Sequence, residues 1–336
     1  AFLYKVLSKF GFHSNIIDTF DALYGKPTAK IKVNGDLTNS FTLQRGARQG
    51  CGASPLLFAL FLEPLGQWIR QRSDISGVTM TAGEQKLALF ADDVLIFLTQ
   101  PNQTLPRLMT ALEEYGSLSG YKINVNKTQI LRLNFKPSIR IKNMYKWNWD
   151  SEHIKYLGVA LTKDLSKLVE ANYGPLTSKV KSDLQRWNTV PFLNLHSRVE
   201  SIRMNILPRM LYLFQCLPIK IPQKYFDDWD RMLAKYIWQH KRARVKYKTL
   251  QLIKEKGGLG LPCLKEYYYA AQLRPLICLS SPTYSAGWKD IEVVITKEVP
   301  IMALLADTKL QKTTPYTSDF INDSLLNSWN EIIKRC

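Results

Sequence analysis

Two adjacent aspartates, Asp92 and Asp93, stand between two runs of apolar, strand-forming residues in the stretch KLALFADDVLIFLTQ, residues 86–100. This pattern predicts two strands joined by a tight turn, with both carboxylates near its tip. Neighbouring ionised carboxylates repel each other, and a divalent cation is one group that offsets the repulsion. The pair is therefore a candidate site for Mg²⁺ or Mn²⁺, although a solvated turn is the simpler explanation of the two residues taken alone.

The segments around this pair are predicted to be helices and short strands. Apolar residues at helical spacing predict a helix in the first ten residues, and Asn34-Gly35 between two β-prone arms predicts a hairpin. A glycine-rich loop precedes an apolar helix predicted to reach Trp68, with Ser54 as its N-cap and Pro55 at its first position.

Further along the chain, residues 104–120 are predicted to be helical, residues 121–133 to be β, and the chain from about residue 165 to be helical. One apolar helical face is predicted for Phe226, Trp229, Met232, Leu233, Tyr236 and Ile237. Strands in the first half and helices in the second predict an α+β fold.

Positive charge is concentrated in one quarter of the chain. Lys and Arg outnumber Asp and Glu by 46 to 28 overall, a net charge of +18, and residues 181–256 hold 16 of these cations against 6 acidic residues. A regional surplus favours a nucleic-acid partner, and Lys241, Arg242 and Arg244 in its densest run are candidate contacts to a phosphate backbone. The alternatives are a solvated face, a nuclear localisation signal, or a basic structural or membrane-surface protein.

Several other classes of protein are disfavoured. The five cysteines are scattered without a C-x-x-C pair, which argues against disulfides and a zinc module and predicts an intracellular location, in the nucleus or the cytoplasm. No apolar run reaches the roughly 18 residues of a membrane-spanning helix, so no membrane partner is expected. The four histidines lack a nucleophile partner pattern, which argues against a hydrolase.

Four ordered motifs carry a resemblance to one family. FADD (residues 90–93) resembles the catalytic-aspartate hairpin of the reverse transcriptases of non-LTR, LINE-type retrotransposons. RGARQGCGASPLLFALFLEPL (residues 45–65) resembles the loop and helix that face the template and the nucleotide in that family. GYKINVNKTQI (residues 120–130) is similar to its lysine-bearing segment, and IKYLGVALT (residues 154–162) resembles the turn of its primer grip. Segments within residues 205–271 resemble the thumb and the region downstream of it.

The resemblance implies a role for particular residues. Asp92 and Asp93 would be the metal ligands and catalytic carboxylates, with Mg²⁺ or Mn²⁺ as cofactor, and Lys127 would neutralise or protonate the leaving pyrophosphate. Contact with nucleic acid or nucleotide is implied for Arg48, Gln49, Gly50, Tyr156, Leu157 and Gly158. The implied partners are an RNA template, a DNA primer and a dNTP. The implied domains are fingers and palm over residues 1–155, a basic helical thumb over 156–255 and a C-terminal helical connection over 256–336.

The sequence also departs from the family pattern. Gly52-Ala53 stands where the family's loop usually has proline and leucine, which is expected to loosen template positioning. The family's first catalytic aspartate lies just before a helix like that of residues 1–12, so it is expected upstream of residue 1, in a longer protein. Residues 1–336 alone are therefore expected to be inactive or impaired as an RNA-directed DNA polymerase. The alternative is a non-catalytic nucleic-acid-binding remnant of a decayed element.

Overall fold

The computed structural model describes residues 2–43, 50–80, 83–289, 299, 301–313 and 320–334. The chain divides into two compact units, Ala1–Ser151 and Glu152–Cys336. Both contain helices and antiparallel strand pairs, so the chain has the α+β character that the sequence predicts.

Unit 1 has helices between short hairpins. The helices are α1 (Phe2–Lys9), α2 (Ser14–Tyr24), α3 (Ser54–Gln71), α4 (Pro101–Ser119) and α5 (Ile139–Met144). The strands are β1 (Thr28–Ala29), β2 (Lys32–Val33), β3 (Asp36–Leu37), β4 (Phe41–Thr42), β5 (Val78–Met80), β6 (Gly83–Gln85), β7 (Leu87–Phe90) and β8 (Asp93–Ile96). They pair as β1–β4, β2–β3, β5–β6 and β7–β8. The hairpin predicted at Asn34-Gly35 is confirmed, with φ of +50° and +101° at those residues.

The core of unit 1 lies where α3 and α4 pack beside β7. Leu62, Leu65 and Ile69 lie on one face of α3 because their spacing follows the helical repeat. They pack in the same cluster as Leu105, Leu108, Leu112 and Tyr115 of α4 and as Leu87 of β7. Burial of each such side chain stabilises the unit by about 1.5–3 kcal/mol, which holds the β7–β8 hairpin in place.

A buried lysine attaches this hairpin to the end of α3. Lys86 is only 6% exposed. Its Nζ donates to the backbone carbonyls of Arg70 and Arg72 at 3.1 and 2.6 Å, and it forms an ion pair with Glu84 at 3.3 Å. The ammonium thus satisfies carbonyls that the helix end leaves without partners.

Unit 2 consists of one hairpin followed by helices. The hairpin is β9 (His153–Tyr156) and β10 (Val159–Thr162). The helices are α6 (Leu168–Asn188), α7 (Leu195–Ser201), α8 (Leu207–Cys216), α9 (Gln223–Ile237), α10 (Tyr247–Gln251), α11 (Leu264–Ser280), α12 (Ile301–Ala306), α13 (Thr308–Thr313) and α14 (Phe320–Ile333). A π-helical turn, Ile202–Ile206, joins α7 to α8 just before Pro208, which has no N–H to donate to the preceding turn.

Aromatic side chains dominate the core of unit 2. The Trp229 ring packs against Tyr173, Phe214 and Phe226 with centroid distances of 5.4–6.2 Å, and its Nε1 donates to Thr177 Oγ1 at 2.8 Å. The apolar face predicted for α9 is confirmed: Met232 is half-buried and the other five members are buried. One continuous cluster joins residues from β10 to α11.

Two local predictions are wrong. Ser54 is not the N-cap of α3, because it lies inside the helix and its hydroxyl hydrogen-bonds Tyr24 at 3.1 Å. Residues 121–133 contain no strand but a 3₁₀ turn, Val125–Lys127, in which the Asn124 side chain accepts from the Lys127 N–H at 3.2 Å. In both places a side-chain hydrogen bond stabilises a local structure different from the one that residue propensities predict.

Membrane insertion finds no support in the helices of the described ranges, since none has both the length and the apolar character to cross a bilayer. The cysteines that the structure describes, Cys51, Cys216, Cys263 and Cys278, are free thiols.

Candidate functional site

The aspartate pair lies at the tip of the β7–β8 hairpin, as predicted. The antiparallel register pairs Leu87 with Ile96 and Phe90 with Asp93, so Ala91 and Asp92 form the turn. Both aspartates are exposed. Ala91 has φ of +48°, in the left-handed region that is unfavourable for residues other than glycine. The turn therefore holds the two carboxylates side by side at some conformational cost.

A cleft of about 670 Å³ joins this tip to the glycine-rich loop. It is lined by Gly50, Cys51, Ser54, Pro55, Phe58, Ala59, Leu62, Glu63, Leu89, Ala91 and Asp92. Gly50 has φ of +82° and open space where a Cβ would stand, so the backbone there is accessible to a ligand. The structure thus brings Gly50 and Asp92 to one cleft. Arg48 and Gln49 lie outside the described residues, and Asp93 is not among the residues that line the cleft.

A perturbed thiol also lines the cleft. The Tyr24 hydroxyl hydrogen-bonds Cys51 Sγ at 2.9 Å and Ser54 Oγ at 3.1 Å. Hydrogen bonds from Tyr24, then from the backbone N–H of Ala53 and the hydroxyl of Ser54, lower the pKa of Cys51 from 9.0 to about 7. Cys51 was not among the residues predicted from the sequence; its position in a glycine-rich loop just before a helix was the available signal.

A half-buried tyrosine, Tyr121, stands near Asp92. Burial first, and the negative charge of Asp92 second, raise the pKa of Tyr121 above its ordinary value. Its ring packs edge-on against Tyr115 at a centroid distance of 5.8 Å. Tyr121 therefore keeps its proton beside the carboxylate. Lys127, in the same segment, is exposed and does not line the cleft.

The two carboxylates match Mg²⁺ or Mn²⁺ in donor type but do not by themselves complete the coordination of the ion. Mg²⁺ commonly binds one or two carboxylates together with substrate phosphates and water. Within the described part of the chain, no group of three His, Cys, Asp or Glu side chains could hold a metal ion together. Asp92 and Asp93 fit such an ion, therefore, only with additional oxygen ligands.

The predicted primer-grip turn is a two-residue turn between β9 and β10. Leu157 and Gly158 have φ of +47° and +80°, the pattern of a type I′ turn, and Tyr156 pairs with Val159 beside them. The Tyr212 hydroxyl of α8 donates to the carbonyl of Leu157. The turn is present and is fixed to a helix, while its binding role stays a prediction.

The basic residues Lys241, Arg242 and Arg244 are exposed in the loop after α9. They line a cavity of about 780 Å³ within unit 2, together with Trp238 and Asn194. None of the three forms an ion pair with a described carboxylate. The nearest ion pair in sequence joins Arg231 to Asp228. Their charges are available to an anionic ligand.

The part of the chain that carries most of these features is similar to a known protein family. Residues 1–161 match the model of the family described as reverse transcriptase (RNA-dependent DNA polymerase). The chain is 25% identical over 279 residues to the transposon TX1 uncharacterized 149 kDa protein of Xenopus laevis, covering 82% of this chain and 21% of that protein. It is 22% identical over 295 residues to the retrovirus-related Pol polyprotein from type-2 retrotransposable element R2DM of Drosophila melanogaster, covering 84% and 27%.

A third relative is the retrovirus-related Pol polyprotein from type-1 retrotransposable element R2 of Popillia japonica, which is 23% identical over 283 residues, or 78% of this chain. The chain spans between 21% and 37% of the length of these three relatives. The family match covers the aspartate hairpin, the glycine-rich loop and the β9–β10 hairpin. Residues 1–161 are therefore similar to the reverse transcriptase family, and the chain is similar to the polyproteins of non-LTR retrotransposons.

Proposed function

We propose that this chain carries the nucleotidyl-transfer site of an RNA-directed DNA polymerase of a LINE-like element. The observation that supports this most is the shared cleft of Asp92 and Gly50. A carboxylate on a tight turn and an open glycine backbone are what a site needs to hold a nucleotide's phosphates beside its base. The proposed reaction is attack of a primer 3′-hydroxyl on the α-phosphate of a dNTP paired to an RNA template.

In this proposal Asp92 and Asp93 hold Mg²⁺ or Mn²⁺ together with phosphate oxygens of the substrate. The bound ion would supply charge neutralisation at the phosphate and a lowered pKa at the attacking hydroxyl. Tyr121 keeps its proton near Asp92, whose negative charge contributes to the raised pKa of the phenol. Gly50 lets the base pair approach the backbone, and Lys127 neutralises the leaving pyrophosphate from its exposed position.

The nucleic-acid contacts are proposed for residues on loops. Arg48 and Gln49 precede Gly50 and would face the template. The turn at Tyr156, Leu157 and Gly158 would contact the primer, and Lys241, Arg242 and Arg244 would contact a phosphate backbone. Under this proposal residues 1–155 act as fingers and palm, residues 156–255 as thumb and residues 256–336 as a connection.

We further propose that residues 1–336 alone extend a primer poorly. The described residues supply two neighbouring carboxylates and no third ligand for a metal ion. A two-metal site that lacks one bridging carboxylate binds its ions weakly and aligns the reacting groups badly. A further carboxylate from another segment of a longer protein would complete it.

A second candidate function is nucleic-acid binding without catalysis. An incomplete metal site beside a retained basic surface fits this function, because a decayed polymerase that loses its metal site can still bind nucleic acid. The two functions differ in the role of Asp92 and Asp93. Only the polymerase proposal requires them to bind a divalent ion.

The test uses Mn²⁺ titration monitored by electron paramagnetic resonance, with a primed RNA template and a dNTP present. Asp92→Asn and Asp93→Asn should each weaken Mn²⁺ binding at least tenfold, and primer extension, where measurable, should disappear with them. Asp36→Asn is the matched control, since Asp36 is also an exposed aspartate of a hairpin in unit 1. Equal Mn²⁺ affinity in all three variants and the parent chain would leave only the non-catalytic function. Rapid extension by the parent chain would contradict the incomplete site.

A further inference from the structure

Two loops of unit 2 line the open cavity of about 780 Å³ described above. One loop joins α6 to α7 and contributes Leu193 and Asn194; the other follows α9 and contributes Trp238, Arg242 and Arg244. The volume is that of a site for one small ligand, such as a nucleotide. No acidic side chain lines it among the described residues.

Phe192 directly precedes Leu193 in the loop that lines this cavity, and its side chain is fully exposed. A phenylalanine with no burial gains nothing from folding, so its ring is free to contact a ligand. The residue also has φ of +63°, a left-handed conformation that costs about 1 kcal/mol or more for a side chain other than glycine. The loop therefore holds an aromatic ring in solvent in a conformation that its own packing does not explain.

The opposite loop is strained in the same way. Gln239 and His240 have φ of +52° and +61°. Together with Phe192 they account for three of the seven non-glycine residues with positive φ in the described ranges. Strained backbone of this kind is concentrated at ligand sites, where the surrounding structure holds it.

A buried arginine links the two loops. Arg198 is 3% exposed; its Nε donates to the carbonyl of Leu193 at 3.1 Å and its Nη1 to the carbonyl of Tyr236 at 3.2 Å. Nη1 also donates to Asn188 Oδ1 at 2.7 Å, and the guanidinium lies over the Tyr236 ring at 4.9 Å. One side chain thus fixes the backbone at the edge of each loop, so the cavity is formed before any ligand arrives.

We infer that this cavity binds an unpaired nucleotide of a single-stranded nucleic acid. Its base stacks on Phe192, and the phosphates on either side of it are held by Arg242 and Arg244. Planar guanidinium groups bind phosphate oxygens in pairs, and stacking on an aromatic ring accepts any base. A duplex does not supply this ligand, because its base faces are already stacked. This inference deepens the proposed contact of Arg242 and Arg244 with a phosphate backbone and rests on that part of the proposed function, but it requires neither Asp92 nor Asp93.

The test measures binding of fluorescein-labelled twelve-nucleotide strands, oligo(U) and oligo(dT), to the full chain by fluorescence anisotropy in EDTA. Phe192→Ala should weaken binding of both strands by about tenfold, the effect of losing one base–aromatic stack. Arg242→Ala/Arg244→Ala should weaken it further and lower the slope of log affinity against log salt by about 1.4.

Matched controls separate this site from general charge and exposure. Tyr267→Ala removes another exposed aromatic ring of unit 2, and Lys254→Ala/Lys256→Ala removes two other exposed cations. All of these should bind within twofold of the parent chain. A strand of abasic residues should bind the Phe192→Ala variant and the parent chain equally, because no base remains to stack.

Several outcomes would overturn the inference. Unchanged oligo(U) and oligo(dT) affinity of Phe192→Ala would do so, as would an equal loss of affinity for a blunt duplex of the same length. Weaker single-strand binding by the Asp92→Asn/Asp93→Asn variant would also overturn it, because the binding site would then lie in the cleft of unit 1. That last variant also keeps the two proposals apart, because unchanged Mn²⁺ affinity with intact single-strand binding contradicts only the polymerase function.

Discussion

The side-chain amide of Asn172 hydrogen-bonds both backbone groups of Ala160. Its Oδ1 accepts from the Ala160 N–H at 2.8 Å, and its Nδ2 donates to the Ala160 carbonyl at 2.9 Å. Nδ2 also donates to the carbonyl of Leu168 at 2.9 Å. The amide thus pairs with the edge of β10 as a neighbouring strand would, and it fixes the β9–β10 hairpin to the first turn of α6.

Replacing Asn172 by alanine should lower the free energy of unfolding of unit 2 by about 2 kcal/mol or more. The substitution leaves the N–H and carbonyl of Ala160 without the amide as partner in a half-buried position, and each such group costs about 1–3 kcal/mol where water does not replace the partner. Urea denaturation followed by circular dichroism measures the change. Ser178→Ala, at an exposed position of the same helix, should change it by less than about 0.5 kcal/mol. Equal effects of the two variants would contradict the role of the amide.

The thiol of Cys51 should react with iodoacetamide over an unusually low pH range. Because its pKa is lowered to about 7, the thiolate fraction and the alkylation rate should rise through pH 7 and level off above about pH 8. Tyr24→Phe removes the largest cause of the shift, so it should raise this pKa and slow alkylation at pH 7 several-fold. Peptide mass spectrometry reports the rate at each cysteine, and the exposed Cys216 serves as the internal reference. Identical pH profiles for the parent chain and Tyr24→Phe would exclude the proposed hydrogen bond as the cause.

Ala91→Gly should stabilise unit 1 although most alanine-to-glycine changes destabilise. Ala91 has positive φ, which costs about 1–2 kcal/mol for alanine and little for glycine. Part of this gain is offset by the greater freedom of glycine in the unfolded chain, so an increase of about 0.5–1 kcal/mol is expected. The control is Ala88→Gly in the middle of β7, which should destabilise by a similar amount. Chemical denaturation measures both, and the same sign for both variants would contradict the strain at Ala91.

Arg198→Ala should destabilise unit 2 by about 3 kcal/mol. The substitution removes a buried guanidinium and leaves the carbonyls of Leu193 and Tyr236 and the amide of Asn188 without this donor. Arg203→Ala is the matched control, since Arg203 is exposed and forms only a surface ion pair with Glu200, worth about 0.5 kcal/mol. The shift in thermal midpoint measures both changes. A loss for Arg198→Ala no larger than for the control would show that the two loops do not depend on this residue.

The sequence predicted best what local spacing determines. The Asn34-Gly35 hairpin, the Asp92 hairpin and the buried face of α9 each follow from residues within a few positions of one another, and all are confirmed. The strand predicted for residues 121–133 is wrong. Alternating Val, Ile and Thr form a strand only where a partner strand is available, and here the Asn124 side chain stabilises a turn instead.

The candidate site was predictable only in part. The motif placed Asp92 at a hairpin tip and Gly50 in an accessible loop, but their meeting in one cleft depends on how α3 packs beside β7, which no local pattern contains. Non-local pairs such as Cys51 with Tyr24 were invisible for the same reason. Phe192 was missed because an apolar residue is expected in a core, and only the structure shows it in solvent.

The burial of Lys86 makes this residue an internal reporter of folding. Among the lysines whose exposure the structure describes, it alone is buried, with its ammonium enclosed by three oxygen atoms. Acylating reagents should therefore label the exposed lysines first and reach Lys86 only after β7 separates from α3. A mass-spectrometric footprint of lysine labelling would thus count the molecules in which the aspartate hairpin is correctly seated, even in a preparation that has no measurable activity.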